Sequence, residues 1–400
     1  MAPNMARSDP RHEQLTGALT FLFAVACGAM VANLYYAQTL IDAIGPDIGL
    51  SPRLAGSITM LTQLGYGLGL ALLVPLGDLF ENKRLTLIAT AGTAIACLGI
   101  GLSEGPLTFL AASFLAGVCA TGAQVLLPLA THLTPEGRQG RVIGRIMAGL
   151  LTGIMLARPA ASFLAEAIGW RAIFFVSAGL MTALMVALAL LCPHRQPDAK
   201  LGYGAILRST LRQVSEHRAL RLRAFYQAMM FAAFNLFWTA APLVLLHRFG
   251  FSQTEVALFA LAGAGGALAA PLAGSLADKG LSWWTSLAAL AIIPLGFAGA
   301  IPAVATVSVV AFAASAILID AAVQLSQITG QKIIFALSKD ARARVNSAYM
   351  TLMFVVGATG SLIGSATFES GGWTASASAG GAIGALTLAV FLLFDRGASA

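Results

Sequence analysis

The stretch "LTGIMLARPAASFLAE" at residues 151–166 is apolar or small almost throughout, yet Arg158 stands in its middle with Pro159 directly after it. What surrounds that arginine follows from the rest of the chain. Of 400 residues, 58% are hydrophobic and 10% charged, against about 25% charged in an ordinary globular chain. Apolar runs recur at 15–41, 54–76, 85–102, 107–130, 142–165 and 172–191, and after a polar gap at 224–246, 256–276, 281–300, 301–329, 345–367 and 373–394. Most reach the ~20 residues that carry a helix across a ~30 Å hydrocarbon core. Only helices and closed barrels satisfy every backbone group there, and these runs lack the period-two alternation of barrel strands. The expectation is an all-α integral membrane protein of twelve transmembrane helices, with 151–166 in the fifth.

The first run is too long for a signal-peptide h-region of ~7 to 15 residues, so it reads as the first span. The net charge is +7, and its placement decides what it means. With both ends on one side, every Lys and Arg except Arg53, Arg171, Arg248 and Arg158 falls in the tails and turns of that side. This is the positive-inside asymmetry. It places both termini in the cytoplasm, with the chain in the plasma (bacterial inner) membrane, and argues against a nucleic-acid partner. Trp170, Trp283, Trp284 and Trp373 fall at expected interfaces, and Trp238 lies deep. Cys27, Cys97, Cys119 and Cys192 are scattered through apolar segments without a C-x-x-C pair, as small core residues rather than a disulfide or metal framework.

The longest polar gap divides the spans six and six. The expected organisation is a cytoplasmic tail at 1–14, a six-helix bundle at 15–192, a cytoplasmic linker at 193–223, a second bundle at 224–394 and a tail at 395–400. Within the linker, Ile206, Leu207, Leu211 and Val214 share one helical face, with Arg208, Arg212 and Arg218 elsewhere. This suits either a basic amphipathic helix on the inner leaflet or a solvated connector.

The halves repeat each other. "NLYY" at 33–36 matches "NLFW" at 235–238, "PLGD" ending at Asp78 matches "SLAD" ending at Asp278, Arg141-Val142 matches Arg344-Val345, and "EAIGW" at 166–170 matches "ESGGW" at 369–373. The offsets, 202, 200, 203 and 203 residues, stay nearly constant in one order. That pattern argues for a duplicated, pseudo-symmetric six-helix unit running parallel to its copy.

Two six-helix halves with an acidic, basic-rich turn after the second span resemble the major facilitator superfamily, whose signature in that turn is G-x-L-A-D-[RK]-x-G-[RK]-[RK]. Here "VPLGDLFENKR" keeps Asp78 and Lys83, with Arg84 one place late, and departs at Val74, Leu79, Glu81 and Asn82; "GSLADKG" keeps Gly274, Asp278 and Lys279. The resemblance implies that Asp78, Lys83, Arg84, Asp278 and Lys279 form a cytoplasmic gate that holds the halves together and releases them as they rock. The plain alternative for Asp78 is a hydrated loop charge. It further implies that spans 2, 5, 8 and 11 form the interface between halves, where this chain is glycine-rich, with Gly149, Gly153, Ala157 and Ala161 on the fifth and Gly357, Gly360 and Gly364 on the eleventh. The fifth-span ridge resembles the drug/proton antiporter branch, but Ala157-Arg158-Pro159 replaces its Gly-Pro pair. Ser113 stands where that branch carries a fourth-span arginine.

Arg158 lies near the middle of its span, where a charge costs ~2.5 to 3.5 kcal/mol on insertion scales and faces a cavity or a partner. Pro159 lacks an N–H, so the Met155 carbonyl loses its helical partner. Arg158 then either faces the pathway, reading an anionic or carbonyl-bearing solute or moving between carboxylates, or ties helices through a fixed ion pair. The other deep charge is Asp320, with Gln324 one turn on. Desolvation and a nearby cation pull such an acid in opposite directions, which suits proton coupling; a permanently hydrogen-bonded carboxyl is the alternative. Asn33, Tyr35, Tyr36, Gln38, Gln63, Tyr66, Gln124, Tyr226, Gln227, Asn235 and Trp238 complete a candidate cavity, with Asn33 and Asn235 at matched depths.

No H-E-x-x-H, G-x-S-x-G or P-loop occurs, so neither an enzyme nor an ATP-driven pump is expected, and no cofactor or metal. The reading is a secondary active transporter moving a small organic solute by alternating access, as a monomer, through proton-coupled efflux of drug-like or metabolic compounds. Uptake or exchange of an organic anion is the alternative within that class, and a non-transporting receptor the alternative outside it.

Overall fold

The computed structural model describes residues 16–135, 137–197, 202–267, 269–338 and 341–395. The expected tail at 1–14 and all but Asp395 of the expected tail at 395–400, with Arg7, Arg11 and Arg396, lie outside the described residues, as do Lys200 and Lys339. Among the described residues the chain forms helices and no strand. The helices are α1 (Gly17–Ala32), α2 (Ile41–Asp47), α3 (Ser57–Leu72), α4 (Asn82–Gly101), α5 (Pro106–Ala120), α6 (Gly122–His132), α7 (Gln139–Ile168), α8 (Arg171–Leu191) and α9 (Tyr203–Glu216). They continue with α10 (Arg218–His247), α11 (Gln253–Ala260), α12 (Ala262–Ala267), α13 (Ala269–Asp278), α14 (Ser282–Ala305), α15 (Val309–Phe335), α16 (Arg342–Gly357) and α17 (Thr359–Phe394).

Nine helical stretches among the described residues are long and apolar enough to cross a membrane. Three local events separate that count from the expected twelve. The first run stops being α-helix at Asn33 and continues as a short 3-10 turn, Tyr36–Thr39. The eighth run is interrupted at Leu261, between α11 and α12. The eleventh and twelfth runs join in one stretch, broken where Gly371 and Gly372 leave helical geometry. Gly372 has φ 61°, a left-handed conformation that glycine adopts without a Cβ clash.

Packing repeats between the halves. α1 lies on α7 as α10 lies on α17, α3 lies on α5 as α12 and α13 lie on α15, and α4 lies on α8 as α14 lies on the far arm of α17. One apolar core centres on Phe23, Met30, Phe109 and Phe174, and a second on Phe237, Phe297, Phe312 and Phe391.

The glycine ridges correct one expectation. They seam helices inside each half, not between halves. A Cβ on Gly149 would lie 2.6 Å from the Ala24 carbonyl oxygen, and one on Gly153 would lie 2.3 Å from that of Gly28. Across the other half, a Cβ on Gly360 would lie 1.9 Å from the Ala232 carbonyl oxygen, and one on Gly364 would lie 2.9 Å from that of Leu236. The fifth and eleventh spans therefore use glycine to bring a helix of their own half to backbone contact. Gly67, beside Phe354 and Val355, does face the other half.

Other placements refine the linker and the interfaces. In α9, Ile206 is buried but Leu211 is exposed, so the apolar face is only partly covered by α16 and α10. Trp373 is buried, donating to the Ala300 carbonyl. Arg223, grouped with the linker by sequence, is buried inside α10, where it pairs with Asp395 at 2.7 Å and donates to Ser286 Oγ at 2.7 Å.

Candidate functional site

Arg158, Trp238 and Asp320 meet where the two cores face each other. The Arg158 guanidinium carbon lies 4.6 Å from the centroid of the Trp238 ring, 5.1 Å from Tyr35 and 5.3 Å from Phe234. Its Nε–H donates to Gln38 Oε1 at 3.0 Å. The Trp238 indole N–H donates to Asp320 Oδ1 at 2.8 Å. No ion pair joins Arg158 to Asp320 among the described residues; the tryptophan stands between them.

Local sequence explains how these groups come together. α1 ends at Asn33, and the 3-10 turn after it turns Tyr35 and Gln38 toward Arg158. Phe234 and Trp238 are four residues apart on α10 and share a face. α12 comes against Asp320 because it has glycines there. A Cβ on Gly263 would lie 2.6 Å from Asp320 Oδ2, and one on Gly266 would lie 2.4 Å from Asp320 Cβ. These two glycines of α12 thus make room for a carboxylate.

An amide cluster adjoins the aromatic group and crosses between halves. Gln63 and Asn235 exchange both hydrogen bonds, at 2.9 and 2.7 Å, Gln38 donates to Asn235 Oδ1 at 3.4 Å, and Asn235 also donates to the Gly357 carbonyl at 3.1 Å. Paired this way, buried amides avoid the desolvation cost of an unmade bond. Arg158 differs. It is 5% exposed, its Nε–H donates to Gln38, and Nη2 is buried without a partner among the described residues.

The remaining expected site residues fall elsewhere. Asn33, despite its matched depth with Asn235, is turned into its own half: it donates to the Ala29 carbonyl at 2.8 Å and accepts from Ser177 Oγ at 2.7 Å and Cys97 Sγ at 3.1 Å. Tyr36 packs edge-on against Phe174. Gln124 donates to the Tyr66 hydroxyl at 3.0 Å. Gln324 is half-buried one turn from Asp320. Phe234 was not among the expected site residues, although its spacing from Trp238 was a sufficient signal.

At the basic end of the molecule the expected gate residues are not gathered. Asp78 is exposed and makes no hydrogen bond or ion pair with Lys83 or Arg84. Lys83 lies 3.5 Å from His194 Nε2, and Glu81 pairs with His194 Nδ1. Asp278 pairs with Lys332 at 2.6 Å, inside its own half, and not with Lys279.

At the opposite end the halves are tied. Ser365 Oγ accepts from the Gly56 N–H and donates to the Arg53 carbonyl, both at 3.0 Å. His247 lies 3.3 Å from Asp42, and the Thr254 N–H at the start of α11 donates to Glu166. α7 accordingly packs on α11, the part of the eighth span nearest this end.

The family model described as Major Facilitator Superfamily matches residues 19–311 and 223–399. The chain is 38% identical over 385 residues to the uncharacterised transporter YgaY of Escherichia coli O157:H7, covering 96% of this chain and 97% of that one. The chain belongs to the major facilitator superfamily. It is 28% identical over 265 residues to a chloramphenicol resistance protein of Streptomyces lividans, covering 65% and 66% of the two chains. Among solved structures, a bacterial homologue of the human lysosomal transporter Spinster superposes with a TM-score of 0.77 at 14% identity, covering 97% of this chain and 98% of that one. As a member of the major facilitator superfamily, the protein is an integral membrane transporter of small solutes and not an enzyme.

Proposed function

We propose that the protein exports small amphipathic organic solutes across the bacterial inner membrane by alternating access, with Asp320 as the proton-binding group. The observation that carries this reading is the Arg158–Trp238–Asp320 arrangement between the two cores. Ionised Asp320 fixes the Trp238 ring, and the ring forms one wall of the solute site. A proton on Asp320 weakens that bond, so a loaded site and a protonated Asp320 disfavour each other. Mutual exclusion of solute and proton is what antiport requires.

The positive-inside asymmetry supports placing the basic end, with both termini, in the cytoplasm. With that orientation the molecule is tied on the outer side through Ser365, His247 and Glu166, and its inner gate is disengaged at Asp78. This is an arrangement in which solute enters from the cytoplasm. Outward opening then breaks the outer ties and brings Asp78 toward the basic turn residues Lys83 and Arg84, with Asp278 and Lys279 as the second-half counterpart. The two six-helix bundles rock as units, and the monomer is sufficient. The relative associated with chloramphenicol resistance supports the outward direction. Exchange of an organic anion is the second reading, favoured by the unpaired Nη2 of Arg158.

The test is transport by purified protein in liposomes, with amphipathic solutes and organic anions, with and without an imposed pH gradient. Gradient-driven movement lost in Asp320→Asn supports proton antiport. Gradient-independent movement of an anion, lost in Arg158→Ala, replaces it with anion exchange.

A further inference from the structure

We propose that the central site takes an uncharged, planar solute bearing a hydrogen-bond acceptor, such as a carbonyl or nitro group, and turns away organic cations. The proposal rests on the reading of this site as the solute site and names the class of molecule it admits.

Three aromatic faces, those of Tyr35, Phe234 and Trp238, surround one position within 4.6 to 5.3 Å. A box of ring faces is the usual receptor for an ammonium group. Here the protein fills it with its own cation. An organic ammonium arriving at those rings meets Arg158 instead of a free π face, and like charges repel strongly where water is scarce.

What the guanidinium still offers is an N–H donor. Gln38 takes Nε–H, while Nη2 is buried without an acceptor among the described residues. A donor held in that way favours a ligand oxygen, because leaving it unmade carries the full desolvation cost. Asp320 decides between a neutral oxygen and a carboxylate. Arg158 and Asp320 are the two deep charges, linked through one tryptophan, and together they balance. A carboxylate would leave the site with a net negative charge inside the bilayer, whereas a carbonyl or nitro oxygen keeps the balance. Phe234, half-buried beside the guanidinium, supplies a flat apolar wall for the ring that carries the acceptor.

The experiment measures equilibrium binding of three radiolabelled probes on one nitrophenyl scaffold, an amide, a primary ammonium and a carboxylate, to the purified full-length protein, and then their movement in liposomes. The amide is expected to bind at least about tenfold more tightly than the ammonium. Arg158→Gln keeps an N–H donor and removes the charge, so it should narrow that gap to less than about threefold by admitting the ammonium. If the variant does not fold, the wild-type ranking alone decides. An ammonium that binds as well as the amide overturns the proposal, as does a carboxylate that binds most tightly, or no amide binding at millimolar concentration. Selective amide binding without transport leaves the site assignment standing and removes the export reading. Transport of the amide that is indifferent to Arg158→Gln does the reverse.

Discussion

The indole N–H of Trp238 donates to Oδ1 of Asp320 at 2.8 Å, across from α10 to α15. One face of the same ring lies under the Arg158 guanidinium. Asp320 and Arg158 therefore touch the same ring, one at its N–H and the other at its face.

Trp238→Phe keeps an aromatic face under Arg158 and removes the N–H. Transport driven by a pH gradient should fall about tenfold, while solute affinity changes by less than about threefold. The check is the ratio of gradient-driven to counterflow rates in liposomes. Equal loss in both assays would mean that Trp238 acts only as a wall.

Gly153→Ala and Gly360→Ala force a methyl group against backbone carbonyl oxygens at 2.3 and 1.9 Å. Each should cost about 1–3 kcal/mol of stability, seen as a lowered unfolding temperature in detergent. Gly274→Ala, with open space around the added carbon, should stay within about 0.5 kcal/mol of the parent.

Gly56→Ala places a carbon 2.0 Å from the Ser361 carbonyl oxygen, at the tie between α17 and the turn before α3. The substitution should wedge that end open. Spin-label distances between the start of α3 and the first arm of α17 should lengthen, and an unchanged distribution would remove this contact from the closing mechanism.

Arg223 and Asp395 form a largely buried pair whose side chains are 10% and 17% exposed. Removing one partner, as in Arg223→Leu or Asp395→Leu, should cost about 3–5 kcal/mol in thermal unfolding, with much of it recovered in the double variant.

Asp47, the last residue of α2, accepts from Arg171 and Trp170, and these donors hold its carboxyl below the usual carboxylate range. A lowered folded value adds stability above the unfolded value and loses it as pH falls through the folded one. The difference in unfolding temperature between the parent and Asp47→Asn should therefore be present at neutral pH and fade as pH falls below the ordinary aspartate range. Because Asp47 is solvent-exposed, the difference should be small.

Arg158, Asp320 and the membrane-spanning class were legible in the sequence because a charge in an apolar run is costly wherever it sits. Their linkage was not: Trp238 was legible as a deep cavity residue, but its place along α10 does not say that its N–H meets Asp320 while its face meets Arg158. Asn33 shows the limit of repeat matching. Its depth matches Asn235, but depth along a helix says nothing of rotation about it, and a turn of the helix axis sends one amide into its own half and the other across the interface. The glycines misled for a related reason: spacing identifies a ridge, but not the helix that fills it.

The Arg223–Asp395 pair also sets an order on assembly. Arg223 enters the membrane with α10, the first helix of the second half, while its carboxylate, Asp395, follows the far arm of α17. Chains are made from the N-terminus, so throughout synthesis of the intervening helices this arginine must be held by water, lipid headgroups or the insertion machinery. The Arg223–Asp395 pair forms only when the far arm of α17 is in place, so that arm brings the counter-charge for the first helix of its own half.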